Sequence, residues 1–438
     1  MTVTKFLPIK LAGLLVAMAC AGLQAGEVDG PFAVNPQAAV DPDLGLRLPA
    51  GFTATVFADL GGYARQLAVR DDGSVYLSMT VRMGRGSTKG VFALRDSDGD
   101  HVADVIEHFA GDTAGTGLRF HQGDLYFAGN TEIYRYQFSG TELVPSAPPE
   151  VVVAGFPEQR VHADKTFTID DQNNLYVNVG APSNACMEQF RTRGSPGQMP
   201  CPQLEMQAGL WRFRADGSGQ TQAGGERFAT GIRNAIAMQW SEQHRQLYFL
   251  THGRDALFLL FPEYFSAEQS SVLPAEEMHV AVAGGNYGWP YSYYDQQQGR
   301  RMLAPEYGGD GKQGVEQGLY REPIATFPGH WAPNDLLFYN GSQFPQHFRN
   351  GAFIVFHGSW NRAPLPQDGY KVVFLPFQGS LPGPDWEVFA DGFKGVERLE
   401  NPADARHRPT GIAQGPQGEL YLSSSNSGRI WRIDYSGE

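Results

Sequence analysis

One short phrase recurs along this chain and restricts its folding more than any other feature: a polar turn with Gly or Asn, followed by an apolar residue and an aromatic one. It occurs at Asp71-Asp72-Gly73-Ser74-Val75-Tyr76, Gln122-Gly123-Asp124-Leu125-Tyr126, Asn173-Asn174-Leu175-Tyr176, Gln246-Leu247-Tyr248 and Gln417-Gly418-Glu419-Leu420-Tyr421, with a weaker copy at Asn350-Gly351-Ala352-Phe353. Alternating apolar residues flank these turns, the pattern of a β-hairpin. A second marker precedes each phrase, an apolar element running into Asp or Gly: Phe57-Ala58-Asp59, Phe109-Ala110-Gly111, Val153-Ala154-Gly155, Phe228-Ala229-Thr230-Gly231, Ala325-Thr326-Phe327-Pro328-Gly329 and Phe389-Ala390-Asp391-Gly392. Units of this length, each a few short strands unable to bury both faces alone, are blades of a β-propeller. Six markers and six hairpins predict an all-β, six-bladed ring over residues 51–438. The first strand, from Gly51 to Phe57, is expected to close the ring by pairing with Gly428 to Ile433, which removes two exposed edges at once.

Composition fits one large closed domain, since long amphipathic helical patterns are absent and 53 Gly with 29 Pro supply turns for many short strands. A net charge of −13 repels phosphate, which argues against nucleic acid or an anionic membrane as partner. An anionic ligand must therefore be met by a local cluster of cations. Residues 1–25 read as a signal peptide: Lys5 and Lys10, an apolar core from Leu11 to Ala21 and a small-residue exit at Leu23-Gln24-Ala25. The mature chain is then exported to the periplasm or secreted, without a transmembrane span. A lipoprotein anchored through Cys20 is the alternative, but Ala17-Met18-Ala19 fits its preceding motif poorly. Residues 26–50 form a Pro-containing lead-in. Cys186 and Cys201 lie in a Gly/Pro-rich insertion, Ala181 to Gln207, and an oxidising compartment favours their pairing over two free thiols. Closing such a loop is worth roughly 3 kcal/mol.

Several polar groups fall beside strand ends, where propeller loops gather. His162, followed by Asp164 and Lys165, precedes the hairpin of the third unit; Arg233-Asn234 follows a marker directly; Thr251-His252-Gly253-Arg254-Asp255 and the acidic pair Glu276-Glu277 come next. From Asp96 to Glu107, acidic oxygens occupy positions one, three, five, nine and twelve of a calcium loop, namely Asp96, Asp98, Asp100, Asp104 and Glu107. His101 stands at the sixth position, where Gly is usual, and a solvated acidic turn is the plainer reading of this stretch.

His162, Arg233-Asn234, His252-Gly253 and Gly285-Asn286-Tyr287-Gly288-Trp289-Pro290, in this order, resemble the soluble quinoprotein glucose/sorbosone dehydrogenases, most closely their sorbosone-dehydrogenase-like branch. Leu48 to Phe52, Phe356 to Arg362 and Arg408-Pro409-Thr410-Gly411 extend the resemblance over nearly the whole mature chain. It implies pyrroloquinoline quinone (PQQ) and calcium as cofactors, a sugar or sugar-derived aldehyde or hemiacetal as small-molecule substrate, and a separate electron acceptor. His162 then matches the family's general base, which takes the substrate hydroxyl proton as hydride leaves carbon for the quinone. Arg65, Arg233 and Arg408 offer guanidinium forks for the three carboxylates of PQQ, and Asn234 a neutral donor to a quinone oxygen. The carbonyls of Gly253 and Arg254 match the calcium ligands, while Tyr287 and Trp289 are expected at the channel wall. A lysine used on the cofactor by glucose-oxidising members has no obvious counterpart beyond the His357 to Arg362 segment. A non-redox, calcium-dependent propeller, either a lactonase-like hydrolase or a carbohydrate-binding protein, is the alternative on the same scaffold.

Overall fold

The computed structural model describes residues 45–83, 86–111 and 113–437. The signal peptide, Cys20 and most of the lead-in lie outside the described residues.

Each hairpin phrase becomes the turn between the first two strands of a blade. The six first strands are Tyr63–Val69, Gly115–His121, Phe167–Ile169, Met238–Ser241, Pro333–Phe338 and Pro409–Gln414, and each neighbours the next around a closed ring. Each marker ends the fourth strand of a blade: Val105–Phe109, Glu150–Ala154, Glu226–Thr230, Ala325–Phe327, Glu387–Ala390 and, for the last blade, Phe52–Asp59; in blades 2 and 3 the two-residue parallel strands Gln220–Thr221 and Gly285–Asn286 pair beyond it. That last strand runs antiparallel to Arg429–Tyr435, in register from Phe52 opposite Tyr435 to Asp59 opposite Arg429. The ring therefore closes between the two ends of the chain, as its edge strands demand.

Alternation along the strands supplies the cores between blades. In Asn174–Val179, Leu175 and Val177 pack towards blade 2, whereas Tyr176 packs towards blade 4. The same division repeats around the ring, so the apolar clusters between neighbouring blades form a closed series. Trp431, fully buried between blades 5 and 6, is part of the closure. Truncating such a residue to Ala costs about 3–5 kcal/mol.

The links from a fourth strand to the next first strand all emerge at one end of the ring, together with the loops between second and third strands. Three of the latter are long: residues 180–208 in blade 3, 252–275 in blade 4 and 358–369 in blade 5. The first contains the Cys186–Cys201 disulfide, as its cysteines led us to expect. Its Gly194 and Gly197 amides donate to Leu260 and Glu306, which ties it to the blade 4 loop and to the segment after it. Among the described residues no helix is long and apolar enough to cross a membrane.

Candidate functional site

His162 sits on the link into the first strand of blade 3 with φ 50°, a left-handed conformation that a β-carbon makes costly. Its Nδ1 lies 2.7 Å from the carbonyl oxygen of Ala181. A carbonyl only accepts, so the ring proton is on Nδ1 and Nε2 is left as a lone-pair acceptor with no protein partner among the described residues. Burial and the nearby Arg233 guanidinium push the imidazole down to about 3, against the Ala181 carbonyl. His162 is thus neutral at physiological pH. Gly180 makes this placement possible, because a β-carbon there would come within 2.7 Å of both His162 Cβ and Asn234 Oδ1.

Two of the three arginines expected to meet an anion already have carboxylate partners. Arg65 Nη2 donates to Asp164 Oδ2 at 2.7 Å, and Thr116 Oγ1 donates to the other oxygen at 2.6 Å. Against burial, which favours the neutral acid, Arg65 and Thr116 hold Asp164 below its usual range. Arg233, nearly fully buried, donates from Nη2 to Asp255 Oδ2 at 3.0 Å and to Asn184 Oδ1 at 3.1 Å. Asp255 also receives Arg191 and Asn361; despite burial, Arg233, His330 and Arg191 hold it at about 2.

Arg408 differs. Its Nε and Nη2 donate to the carbonyls of His357 and Gly358, its guanidinium lies 5.3 Å from the centre of the Tyr370 ring, and no carboxylate among the described residues reaches it. A cation largely removed from water without a counter-charge is costly. It is the group in this site best suited to hold a carboxylate from outside. Burial, together with the charges of Arg408 and Arg65, keeps the His357 imidazole well below its usual value. His252, pushed down to about 4 mainly by burial, donates from Nε2 to the Pro333 carbonyl at 2.7 Å. Asn234 is buried; its Oδ1 accepts from Asn178 at 3.2 Å, and its Nδ2 donates to no protein group among the described residues.

The carbonyl oxygens of Gly253 and Arg254 accept no hydrogen bond among the described residues. Free carbonyl oxygens in a partly buried turn fit a hard cation. Beside them, Glu276 is buried with Oε2 on the Gly253 amide at 2.9 Å and Oε1 on the Ala332 amide at 3.3 Å. Burial raises it to about 7 against these two N–H groups. Sequence reasoning noted Glu276 without a role and missed Asn184, which accepts from Arg233 and from the Asp255 amide and donates to the Asp255 carbonyl. Only the position of Asn184 two residues before a disulfide cysteine could have drawn attention to it.

Some expectations are corrected. The five acidic groups of the Asp96–Glu107 loop do not assemble: Asp96, Asp98 and Asp100 bring oxygens within 4.8 Å of one another, but Asp104 turns to the Ser97 amide and hydroxyl. Glu107 lies in the strand Val105–Phe109, fixed opposite Ala93 by the ladder. His101 does make the sharp turn, with φ 71° in place of Gly. Tyr287 belongs to the core between blades 3 and 4, and Trp289 packs on the disulfide and donates to the Asn184 carbonyl at 3.0 Å; both also line a small cavity shared with Arg233, His252, Gly253 and Arg254. Lys165 is fully buried and donates to the Ala163 carbonyl at 2.7 Å.

A six-bladed propeller with a neutral base, an uncompensated cation and a bare carbonyl pair at one mouth is a scaffold for binding and proton transfer. The chain belongs to the TrAA12-like family, which it matches over residues 46–436. Its fold is similar to the calcium structure of the Trichoderma reesei enzyme of Carbohydrate-Active Enzymes family AA12, with a TM-score of 0.70, 16% identity and coverage of 89% of this chain and 97% of that one. The holo PQQ domain of Coprinopsis cinerea pyranose dehydrogenase is similar at a TM-score of 0.66, with 18% identity over 89% of this chain and 97% of that one. In sequence, 126 residues are 33% identical to a pyrroloquinoline quinone-dependent pyranose dehydrogenase of Coprinopsis cinerea, spanning 26% of this chain and 16% of that protein. An uncharacterized protein of Borreliella burgdorferi is 22% identical over 404 residues, 89% of this chain and 91% of its own.

Proposed function

We propose that this protein is a PQQ- and calcium-dependent oxidoreductase that oxidises a sugar or a sugar-derived aldehyde or hemiacetal and passes the electrons to a separate acceptor. Family membership supports the class. The observation that carries the reading is the presence at one mouth of a neutral His162, whose Nε2 is open, and of Arg408, a largely buried guanidinium that no carboxylate among the described residues neutralises.

The residues present fit both cofactors. Arg408 would hold a PQQ carboxylate, with Arg65 and Arg233 adding their field from positions already balanced by Asp164 and Asp255. Asn234 Nδ2 would donate to a quinone oxygen, and the Gly253 and Arg254 carbonyls would hold calcium. When bound, the quinone supplies the hydride acceptor and the calcium a Lewis acid. His162 Nε2 takes the proton of the substrate hydroxyl, the step that burial prepares by keeping the ring neutral. Once charged, the imidazolium sits beside Arg233, so the proton passes readily to solvent. Asp96, Asp98 and Asp100 would hold a second calcium away from the chemistry.

The test is reconstitution: apo-protein is mixed with PQQ and calcium chloride, and the absorption spectrum and dye-linked oxidation of a panel including pentoses, hexoses and sorbosone are followed. Substrate-dependent dye reduction that needs both additions supports the reading, and the panel decides whether the sorbosone-dehydrogenase-like branch is the right subdivision. Absence of a bound quinone spectrum under any calcium concentration would favour the non-redox propeller.

A further inference from the structure

The turn from His252 to Asp255 is held at both ends by side chains of other elements, and the groups left free are the two carbonyls between them. The peptide joining His252 to Gly253 is clamped across its plane: its N–H donates to Glu276 Oε2 at 2.9 Å, and its carbonyl accepts from Arg233 Nη1 at 3.5 Å. The peptide joining Arg254 to Asp255 is fixed by its N–H, which donates to Asn184 Oδ1 at 2.8 Å. In a trans peptide the carbonyl points opposite to the N–H. The Arg254 carbonyl is therefore aimed away from Asn184, and the Gly253 carbonyl is confined between two fixed planes.

Glu276 adds a second effect. It is 2% exposed, comes from the strand Glu276–Val280, and has no cation within ion-pair distance among the described residues. Its only partners among the described residues are the Gly253 and Ala332 amides, and Arg233, whose charge reaches it, is already bonded to Asp255. A buried carboxylate without a counter-charge draws a cation towards the groups it holds.

We propose that Asn184 and Glu276 are the positioning residues of a cation site at the Gly253–Arg254 carbonyls, Asn184 by fixing one peptide plane and Glu276 by fixing the other and supplying the negative charge. Asn184 is brought to the turn by the disulfide-bearing insertion: its own carbonyl accepts from Trp289 Nε1 and Arg233 Nε, and Cys186 follows two residues later. The insertion of blade 3 is thus a structural part of a site in blade 4. The proposal rests on the reading of this turn as the calcium site.

Calcium chloride is titrated calorimetrically into full-length protein carrying Asp98→Ala and Asp100→Ala, with PQQ present, so that the exposed acidic loop contributes nothing. The calcium-induced rise in melting temperature is measured alongside, a shift that a merely structural residue leaves unchanged. Glu276→Gln should weaken calcium by about tenfold or more, because it removes charge and one acceptor together. Asn184→Ala should weaken it several-fold, and Asn184→Asp, which keeps the acceptor, should recover most of that loss. Two variants on separate elements guard against one failing to fold. If the parent binds calcium and both Glu276→Gln and Asn184→Ala bind it equally well, the positioning role is overturned while the calcium site stands. If the parent itself takes up no calcium, the reading of the turn falls, and this proposal with it.

Discussion

Two stretches of this molecule invite a divalent cation, and they do so by opposite means. The Asp96–Glu107 loop is exposed and acidic, and its carboxylates are turned on their own backbone: Asp96 accepts from the amides of Gly99 and His101, and Asp100 from that of Val102. The turn at Gly253–Arg254 is partly buried, carries its negative charge on a different strand, and leaves two carbonyl oxygens that accept no hydrogen bond among the described residues. Water already solvates the first, so a cation there gains little beyond charge neutralisation. The second has peptide planes held in advance by the side chains of Glu276, Arg233 and Asn184, in a turn that lines one cavity with Arg233 and His252. The stretch with most charge in the sequence is therefore not the one best built for chemistry.

The contrast is broken or sharpened most strongly by chelation. Stripping calcium from the reconstituted enzyme should abolish dye-linked turnover, and should do so equally in the Asp98→Ala/Asp100→Ala protein; loss of activity in that double variant with calcium present would reverse the assignment of the two stretches. Next in size is His162→Ala, for which turnover should fall by about 100-fold to 10,000-fold, the range for loss of a general base, with PQQ and calcium binding nearly intact. Unchanged turnover would remove His162 from the reaction.

The acid response follows from the buried histidines, several of which are depressed, His162 and His252 at the mouth among them. His162 and His252 are held at about 3 and about 4, against 6.5 for a free imidazole. The unfolded chain binds protons more readily than the folded one, so their contribution to stability is complete above about pH 6.5 and is lost as pH falls towards 3–4. Denaturant titrations at pH 7.5 and 4.5 should show this loss, and it should be smaller in His162→Gln. For the same reason kcat/KM should show no acid limb near pH 6.5 from this base. The smallest effect belongs to the acidic loop: Asp98→Ala with Asp100→Ala should lower the calcium-induced rise in melting temperature by about 1 °C, which is what a site worth about 1 kcal/mol gives in a chain of this length. An unchanged calcium dependence of melting makes the loop a solvated turn.

How much of this was legible in the sequence depended on whether a feature is local. Hairpins and strand ends are local, so the six phrases and six markers gave blade number, blade boundaries and the Phe52–Tyr435 closure. His162, Arg233 and Arg408 were legible as candidates because each stands beside a strand end. Their partners were not. Asp255 bonds Arg233 from 22 residues away, and Asn184 does so from 49, through loops whose path no periodicity records. The free carbonyls at Gly253 and Arg254 have no residue signature at all; the family resemblance pointed to them, and only the hydrogen bonds around them explain why they are bare. The five-ligand calcium loop failed for a related reason, since spacing along the chain ignored that Glu107 is locked into a sheet.

Arg408 carries an uncompensated charge among the described residues, whereas Arg233 is already neutralised by Asp255, and the proposed anion site at the mouth of the ring depends on that difference. Calorimetric titration of calcium-loaded apo-protein with PQQ tests it most directly, comparing wild type with Arg408→Lys and Arg233→Lys. The account predicts one PQQ per chain and an affinity about tenfold or more weaker in Arg408→Lys, which keeps the charge but loses the planar fork. Arg233→Lys should lose mainly calcium affinity and stability, through the peptide it clamps. Equal PQQ affinity in wild type and Arg408→Lys would contradict the claim and remove this arginine from the site.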